Sequence, residues 1–332
     1  MDGLITAWGK ILRGYQPSLS IEITRECPLR CPGCYAYNDE HLGGGTTLRQ
    51  VTDYKGQELV DRFMALVDEE RPIHVSIVGG EPLVRYRELG QILPQLAARG
   101  IYSQLVTSAV RPIPAEFASI PRLQIVVSID GLQPEHDVRR APATYSRIQK
   151  HIVGHEITVH CTVTRQQVQR DGYLEEFLQT WSARDEVSQI WVSLYTPQVG
   201  EVADEILTPA DRERVVAALM SLRLKYKKLT MPEGLIKKYA KPPSSPAECV
   251  FALTTSCVSA DFVHRITPCQ FGGTPDCSQC GCVASAALAA VSAHRLPGGL
   301  RVGAIFETSL KFGRVVRGRR DSRIVGEPSP AA

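Results

Sequence analysis

The chain has 332 residues, of which 43% are hydrophobic and 22% are charged, and its formal net charge is +3. This composition excludes a mostly disordered chain, and the small net charge gives no reason to expect nucleic acid as a partner. The length is enough for one large or two modest globular units.

Residues 1–17 are predicted to form an N-terminal amphipathic segment. No apolar run is followed there by a small-residue cleavage site, so no secretory signal is visible. The longest apolar stretch, Val283–Ala293, is too short to cross a bilayer. We therefore expect a reducing, cytoplasmic location, where structural disulfides are rare. A membrane-surface contact is suggested by apolar side chains beside two cations: Ile5, Trp8, Ile11 and Leu12 next to Lys10 and Arg13.

Apolar runs alternate with helical patterns through the middle of the chain, which predicts an α/β unit with a parallel sheet. The predicted strands are Leu19–Thr24, His74–Val78, Gln104–Thr107, Leu123–Ile129, Ile157–Val163 and Ile190–Tyr195. The predicted helices are Gly56–Glu70, Tyr86–Arg99, Pro114–Ile120, Thr144–Val153 and Tyr173–Ala183. Right-handed crossovers place every strand-to-helix loop at one end of the sheet, where ligands bind in such folds.

A long helix is predicted from Thr208, an N-cap residue followed by Pro209, to about Tyr226. Residues 227–248 are predicted to be a linker because they contain the proline-rich run Lys241–Pro246. A cysteine-rich domain is predicted at 249–300. A basic tail follows at 301–332, and its end, Gly326–Ala332, is predicted to be disordered.

Ten cysteines are the unusual feature of the composition, and three of them lie within Cys27–Cys34, directly after the first predicted strand. Clusters this tight indicate metal or disulfides. Three thiolates in eight residues can hold one 4Fe–4S cube and leave its fourth iron without a protein ligand. A zinc site is the alternative, but it would need a fourth Cys or His, and His41 is the only candidate close in sequence.

The spacing C-x3-C-x2-C of Cys27, Cys31 and Cys34 resembles that of the radical S-adenosylmethionine (radical SAM) enzymes. Gly79-Gly80-Glu81-Pro82 at the second strand end and Ser128-Ile-Asp-Gly131 at the fourth strengthen the resemblance, as do His136-Asp137 and Arg139-Arg140. The resemblance covers about Ser18 to Tyr195 and implies a radical SAM domain at 18–226 with the fold of a (β/α)6 partial TIM barrel. It also implies a 4Fe–4S cluster, bound S-adenosylmethionine, its reductive cleavage to a 5′-deoxyadenosyl radical, and a reductant such as flavodoxin or ferredoxin.

The same resemblance implies roles for single residues. Cys27, Cys31 and Cys34 would ligate the cluster, and Gly79, Gly80 and Glu81 would hold the methionyl end of S-adenosylmethionine. The remaining cofactor-binding candidates are Thr107, Ser108, Ser128 and Asp130 at strand ends, Arg165 for the methionyl carboxylate, and Tyr35 for adenine packing in place of an aromatic residue at Gly33. Loop capping is the alternative role for Ser128, Asp130 and Arg165, and capping of the helix at Leu83–Arg99 for Glu81. Cys161 is predicted to be core, and no catalytic side chain is assigned.

Six further cysteines lie within Cys249–Cys282. Their segment resembles the auxiliary-cluster (SPASM or twitch) domains appended to some radical SAM enzymes, with a small hairpin between Cys257 and Cys269. One auxiliary 4Fe–4S cluster is expected, and a structural zinc knot is the alternative. The candidate ligands are Cys257, Cys269, Cys277, Cys280 and Cys282, with Cys249 as a sixth.

The sequence therefore predicts a radical SAM enzyme. Its substrate could be a peptide or protein, as for many SPASM-type enzymes, or an isoprenoid or lipid. A non-enzymatic iron–sulfur or zinc redox sensor is the alternative, against which the GGEP and SIDG strand ends argue, because a sensor needs no site for the methionyl group.

Overall fold

The computed structural model describes residues 2–142, 145–296, 298–299 and 301–324. Its centre is a parallel sheet of seven strands in the order β6-β5-β4-β3-β2-β1-β7. The strands are β1 (Ser18–Glu22), β2 (His74–Val78), β3 (Tyr102–Thr107), β4 (Leu123–Ser128), β5 (Ile157–Val163), β6 (Val187–Leu194) and β7 (Thr255–Val258).

Helices connect and cover the strands. In chain order they are α1 (Asp2–Leu12), α2 (Gly56–Glu70), α3 (Tyr86–Ala98), α4 (Glu135–Arg139), α5 (Tyr145–His151), α6 (Arg165–Val168), α7 (Tyr173–Ser182), α8 (Pro209–Lys225), α9 (Glu233–Ala240), α10 (Val250–Thr254), α11 (Val283–Ala293) and α12 (Val302–Ile324). Short 3-10 turns lie at Tyr35–Tyr37, Leu48–Gln50, Pro82–Arg85, Ala115–Ser119 and Cys277–Gln279. No helix among these described segments is long and apolar enough to cross a membrane.

Side chains along each strand alternate between two environments, because successive Cβ atoms of a strand point to opposite faces. On β5, Val159 and Cys161 are buried in the apolar layer between sheet and helices, whereas His160 and Thr162 line a cavity on the other face. The same alternation separates the apolar Ile77 from the polar Ser76 on β2. Cys161 is therefore a core residue, as predicted, and the inner face of the sheet is largely polar.

The prediction of six strands was one strand short. The seventh, β7, arises in the cysteine-rich segment and pairs in parallel with β1, with Ser18 opposite Thr255. Its four residues were too few to show a strand pattern, and Cys257 among them was interpreted only as a metal ligand. The predicted hairpin after it is confirmed by an antiparallel bridge between Val258 and Arg265.

Three other segments differ from their predictions. The helix predicted at Pro114–Ile120 is a 3-10 turn at Ala115–Ser119, because prolines 112 and 114 restrict the backbone before it.

The linker predicted at 227–248 contains α9, whose Tyr239 is buried and donates a hydrogen bond to the Val192 carbonyl oxygen. Residues 302–324 of the predicted tail form α12, and Trp8 of the N-terminal segment donates from Nε1 to Ser309 on it. Residues 325–332 and Thr144 lie outside the described residues.

The cysteine-rich segment is also joined at Gly281 to β6, which forms the edge of the sheet opposite β7. The amide of Leu194, at the end of β6, donates to the Gly281 carbonyl oxygen at 2.9 Å, and the Gly281 amide donates to Thr196 Oγ1 at 2.9 Å. A Cβ at this position would lie 2.2 Å from the Leu194 carbonyl oxygen. Close backbone approach, rather than an unusual backbone conformation, requires this glycine.

We expect Gly281→Ala to lower the free energy of unfolding by about 2 kcal/mol, because overpacking against backbone cannot be relieved by a rotamer change. The matched control is Gly90→Ala inside α3, where an added Cβ meets nothing within 4 Å. That substitution should leave stability unchanged or raise it by up to about 1 kcal/mol. Urea unfolding of both variants measures the difference, and equal effects would contradict the packing at Gly281.

Candidate active site

A cavity of about 1100 Å³ occupies the inner face of the sheet. Inward side chains of the strands form its floor, and the loops after their carboxyl ends form its rim. Both cysteine groups contribute to this one cavity: Cys27, Cys31 and Cys34 from the first, and Cys249, Cys269, Cys277, Cys280 and Cys282 from the second. The cavity brings together residues separated by more than two hundred positions in the sequence.

The first three cysteines form one wall of the cavity. Burial, with a smaller contribution from the charges of Glu81, Cys31 and Cys34, raises the pKa of Cys27 to about 12. Burial raises the pKa of Cys31 and Cys34 as well, while the Arg140 guanidinium lowers both. Three thiolates so close together need positive charge to remain ionised, and an iron–sulfur cluster supplies it.

The donor set fits such a cluster. The Leu29 amide donates to Cys27 Sγ at 3.4 Å, so one sulfur already has a backbone hydrogen bond. Among the described residues, no three His, Cys, Asp or Glu side chains converge tightly enough to hold a single metal ion. Cluster ligands bind different irons, so they need not converge on one point.

The loop Gly79-Gly80-Glu81 is packed against the segment that leads into the first cysteines. Gly79 and Gly80 have φ angles of 79° and 54°. A Cβ at Gly79 would lie 2.2 Å from Glu22 Cβ, and one at Gly80 would lie 2.4 Å from the Glu26 carbonyl oxygen. The Glu81 amide donates to that same carbonyl oxygen at 2.8 Å. Only glycine allows this approach, which fixes the loop beside Cys27.

Glu81 is held by two of the other predicted site residues. Its buried carboxylate accepts hydrogen bonds from the Thr107 hydroxyl and from both the amide and the hydroxyl of Ser108. It also accepts from the Leu83 amide at 2.9 Å, which is the capping interaction given as the alternative. Glu81, Thr107 and Ser108 all line the cavity, but these hydrogen bonds join them to one another.

The carboxylate of Asp130 is likewise hydrogen-bonded to groups of the protein. Its buried carboxylate accepts from Arg140 Nε at 2.8 Å and from the Thr162 amide at 2.8 Å. Burial raises the pKa of Asp130, but the charges of Arg140 and Arg139 outweigh this effect and leave the pKa well below its usual range. This pairing is the capping alternative given for Asp130, while Ser128, two residues earlier at the end of β4, lines the cavity.

Arg165, the candidate for the methionyl carboxylate, is not among the residues that line the cavity; its Nε lies 3.5 Å from Asp211 at the start of α8. Arg139 and Arg140 line the cavity in its place. Arg139 forms ion pairs with Glu205 and with Asp130, whose Oδ2 lies 3.5 Å from the Arg139 Nε. The sequence signal for these two was present in the HD-x-RR stretch, but only the fold shows that they point inward.

Tyr35 lies between the two cysteine groups. Its hydroxyl accepts a hydrogen bond from Gln270 Nε2 at 2.9 Å, and its ring meets Phe271 edge-on at 5.4 Å between centroids. It lines the cavity, as predicted, but its contacts join the first cysteine loop to the second cysteine segment.

The six C-terminal cysteines lie near one another. Burial, with a smaller contribution from the charges of Cys257, Cys249 and Cys280, raises the pKa of Cys269 to about 12. Cys249 also raises the pKa of Cys277 and Cys280, so it belongs to the group. Cys257 is buried on β7 and is not among the residues that line the cavity. A cation, Arg212, donates to the carbonyl oxygens of Cys280 and Gln279.

A fully buried pair, Glu22 and His41, joins the two cysteine segments. His41 Nε2 lies 2.8 Å from Glu22 Oε1, and its Nδ1 lies 3.1 Å from the Phe271 carbonyl oxygen. The second carboxylate oxygen of Glu22 accepts from the Ser259 hydroxyl at 2.9 Å. His41 thus makes structural contacts here and is directed to Glu22 rather than to the cysteines.

Comparison with known proteins agrees with this geometry. Residues 21–162 match the sequence model of the Radical SAM superfamily. This match covers less than half of the chain and includes both the first cysteine loop and the Gly79–Glu81 loop. A PqqA peptide cyclase from Bradyrhizobium diazoefficiens is 31% identical over 127 residues, which are 36% of this chain and 30% of that protein. A PqqA peptide cyclase from Methylocella silvestris is 22% identical over 270 residues, 77% of this chain and 68% of that protein.

Among solved structures, SuiB from Streptococcus suis bound to S-adenosylmethionine aligns with a TM-score of 0.57 at 17% identity. The alignment covers 74% of this chain and 59% of that one. SuiB bound to the precursor peptide SuiA gives a TM-score of 0.54. The aligned part of this chain thus shares its fold with SuiB. The chain spans less than a third of the Bradyrhizobium relative.

The Glu22–His41 pair generates a pH prediction. Burial lowers the pKa of His41, but the hydrogen bond and charge of Glu22 outweigh it, so the pKa is raised. A raised pKa stabilises the fold fully below the unfolded value of about 6.5, and the contribution is lost as pH rises through the folded-state pKa. The stability advantage of the wild type over His41→Gln should therefore be larger near pH 6 than near pH 9.

Urea unfolding at both pH values, under anaerobic conditions, measures this difference. The control is His294→Gln, on an exposed side chain, whose effect should not change between the two pH values. An advantage over His41→Gln that is constant with pH would show that the pair is not ionised.

Proposed function

We propose that this protein is a radical SAM enzyme that modifies a peptide. The observation that carries the proposal is the shared cavity, in which three cysteines with C-x3-C-x2-C spacing lie beside the Gly79–Glu81 loop within the part that matches the Radical SAM superfamily. Cys27, Cys31 and Cys34 would hold a 4Fe–4S cluster. When bound, the cluster and S-adenosylmethionine supply a 5′-deoxyadenosyl radical, which is the reactive species.

The chain's own residues position the cofactor and exclude water. The backbone of Gly79 and Gly80 would accept hydrogen bonds from the methionyl amino group, and Glu81 fixes that loop through Thr107 and Ser108. Arg139 is proposed for the methionyl carboxylate in place of Arg165, because Arg139 lines the cavity and Arg165 does not. The Ser128 hydroxyl remains our candidate for a ribose contact.

A peptide is the substrate class best supported. The relatives are named as cyclases of the PqqA peptide, and SuiB is described in complex with the precursor peptide SuiA. An isoprenoid or lipid substrate, a flavodoxin or ferredoxin reductant and a cytoplasmic location stay predictions.

The second cysteine group is proposed to hold one auxiliary 4Fe–4S cluster. Five of its cysteines line the cavity opposite the first group, so the auxiliary cluster would border the substrate space. Burial raises the pKa of Cys277 to about 11 and that of Cys257 to about 12, so both thiols would need a metal to ionise at neutral pH. Four ligands suffice for such a cluster, which leaves two of the six cysteines for other roles.

We expect Cys27→Ala, Cys31→Ala and Cys34→Ala each to abolish cleavage of S-adenosylmethionine, because no other cysteine of the chain lies within that loop. The measurement is 5′-deoxyadenosine formation after anaerobic reconstitution and addition of dithionite. Cys161→Ala is the matched control, since Cys161 packs in the apolar layer away from the cavity. Cleavage that persists in any of the three loop variants would sink the assignment.

Loss of the second cysteine group should change the iron content of the protein but not the cleavage of S-adenosylmethionine. In Cys280→Ala/Cys282→Ala, the iron content should fall from about eight to about four per chain, while 5′-deoxyadenosine formation continues. Iron and sulfide analysis of the wild type tests the auxiliary site directly. About four irons together with one zinc in the wild type would replace the auxiliary cluster by a zinc site.

A further inference from the structure

The charged side chains that line the active-site cavity are confined to one part of it. Among the described residues, the Asp, Glu, Lys and Arg side chains in its lining are Glu81, Asp130, Arg139 and Arg140. All four follow the carboxyl ends of β2 and β4, and their charges act on the thiols of the first cysteine group. The part of the cavity that would hold the cofactor is therefore the charged part.

The wall that β6, α9, α10 and α11 contribute is apolar instead. Its large side chains, here called the apolar wall, are Trp191 of β6, Leu235 of α9, Phe251 of α10, and Leu288 and Val291 of α11. Trp191, Phe251 and Leu288 are half-buried, and Val291 is 40% exposed. Within the part of the chain that the structure describes, these four side chains belong to neither hydrophobic core. Their apolar surface is thus left to face the cavity.

The indole of Trp191 offers the cavity a ring rather than a polar group. Its Nε1 donates to Thr230 Oγ1 at 3.1 Å, so the one polar atom of this side chain is already paired. An aromatic ring whose polar atom is satisfied packs favourably on another aromatic ring or on an aliphatic group. A ligand group that reaches Trp191 therefore meets apolar surface.

The composition of α11 also calls for an apolar neighbour. The helix has no charged residue, and its only polar side chains are Ser285 and Ser292. A helix that is apolar all round is normally buried on every side. α11 packs on α9, α10 and α12, but one side remains. Four residues of that side, spaced at i, i+3, i+4 and i+7, line the cavity: Ala284, Ala287, Leu288 and Val291.

We propose that the apolar wall binds a large apolar side chain of the peptide substrate, aromatic or branched aliphatic. This inference rests on the proposed function, because it assigns a place to one residue of that peptide. A Lys or Glu side chain is rejected, since its charge would lose hydration at the wall without gaining a partner. The sheet floor of the same cavity carries polar side chains, such as Gln104 and His160, which suit the amide groups of a peptide backbone. An isoprenoid has no such groups.

Binding of small amides to the reconstituted protein, without reductant, tests the proposal. The probes are the N-acetyl amides of tryptophan, leucine, lysine and glutamate, and saturation-transfer NMR titrations measure their Kd values. We expect the tryptophan and leucine amides to bind at least about tenfold more tightly than the other two, because burial of one large apolar side chain supplies about that factor.

Ala287→Phe should weaken binding of the tryptophan amide at least about tenfold, because the added ring occupies the space in front of the wall. The matched control is Ala293→Phe, the same change at an exposed position of α11 that is not among the lining residues. It should leave the Kd unchanged.

Val291→Glu is a second test that does not depend on how Ala287→Phe folds, because Val291 is partly exposed and the position tolerates a polar side chain. This variant should weaken binding of the leucine amide and tighten binding of the lysine amide about threefold, as expected for an exposed ion pair.

Equal affinities for the four amides, or an equal loss in Ala293→Phe, would overturn the proposal. Such a result would leave the proposed function standing, because 5′-deoxyadenosine formation tests that function separately. Farnesol binding that Ala287→Phe abolishes, with no binding of any amide, would assign the apolar wall to an isoprenoid substrate instead.

Discussion

Three buried carboxylates at strand ends hold the rim of the cavity together. Glu22 at the end of β1 is paired with His41 and Ser259, and Glu81 after β2 gathers donors from the end of β3. Asp130 after β4 pairs with Arg140 and the β5 amide of Thr162. A buried carboxylate is costly unless its oxygens are fully hydrogen-bonded. Each one therefore fixes the loops that supply its donors, and the cysteines lie on or beside those loops.

Side chains on the inner face of the sheet form the floor of the cavity below this rim, because side chains alternate between the two faces of each strand. Outward side chains of β1 to β6 are mostly apolar and pack on the helices, which is why the sequence predicted all six strands, with ends that differ from the observed ones by up to three residues. The inward positions are largely polar, as in Ser76, Gln104 and His160. Hydrogen bonds run between neighbouring strands on this face, such as the one between His160 and Ser193 at 2.8 Å. The fold class, the six strands and the first cysteine group could therefore be predicted, because each rests on a local pattern.

The other features of the fold and the site depend on contacts between residues that are distant in sequence, so no local pattern showed them. Arg165 and Arg140 both follow strand ends and carry the same charge, so nothing local showed that one faces the cavity and the other faces α8. Glu81, Thr107 and Ser108 were each recognised as site residues, yet their mutual hydrogen bonds follow from the adjacency of β2 and β3. β7 could not be predicted for the same reason, since four residues form a strand only because β1 has a free edge beside them.

At Gly33, an aromatic side chain from a distant part of the sequence takes the place of an aromatic residue within the cysteine loop. The radical SAM pattern leads one to expect an aromatic side chain before the third cysteine, and Tyr35 was the predicted substitute. In the structure Tyr35 is held by Gln270 and Phe271, while the Tyr195 hydroxyl lies 3.2 Å from where a Gly33 Cβ would be. Tyr195 lines the cavity from the end of β6 and has Arg139 over its ring. An aromatic residue from the opposite edge of the sheet thus fills the space beside Gly33. This contact couples the first cysteine loop to β6. Glycine, with its φ of 63°, is the residue that fits there.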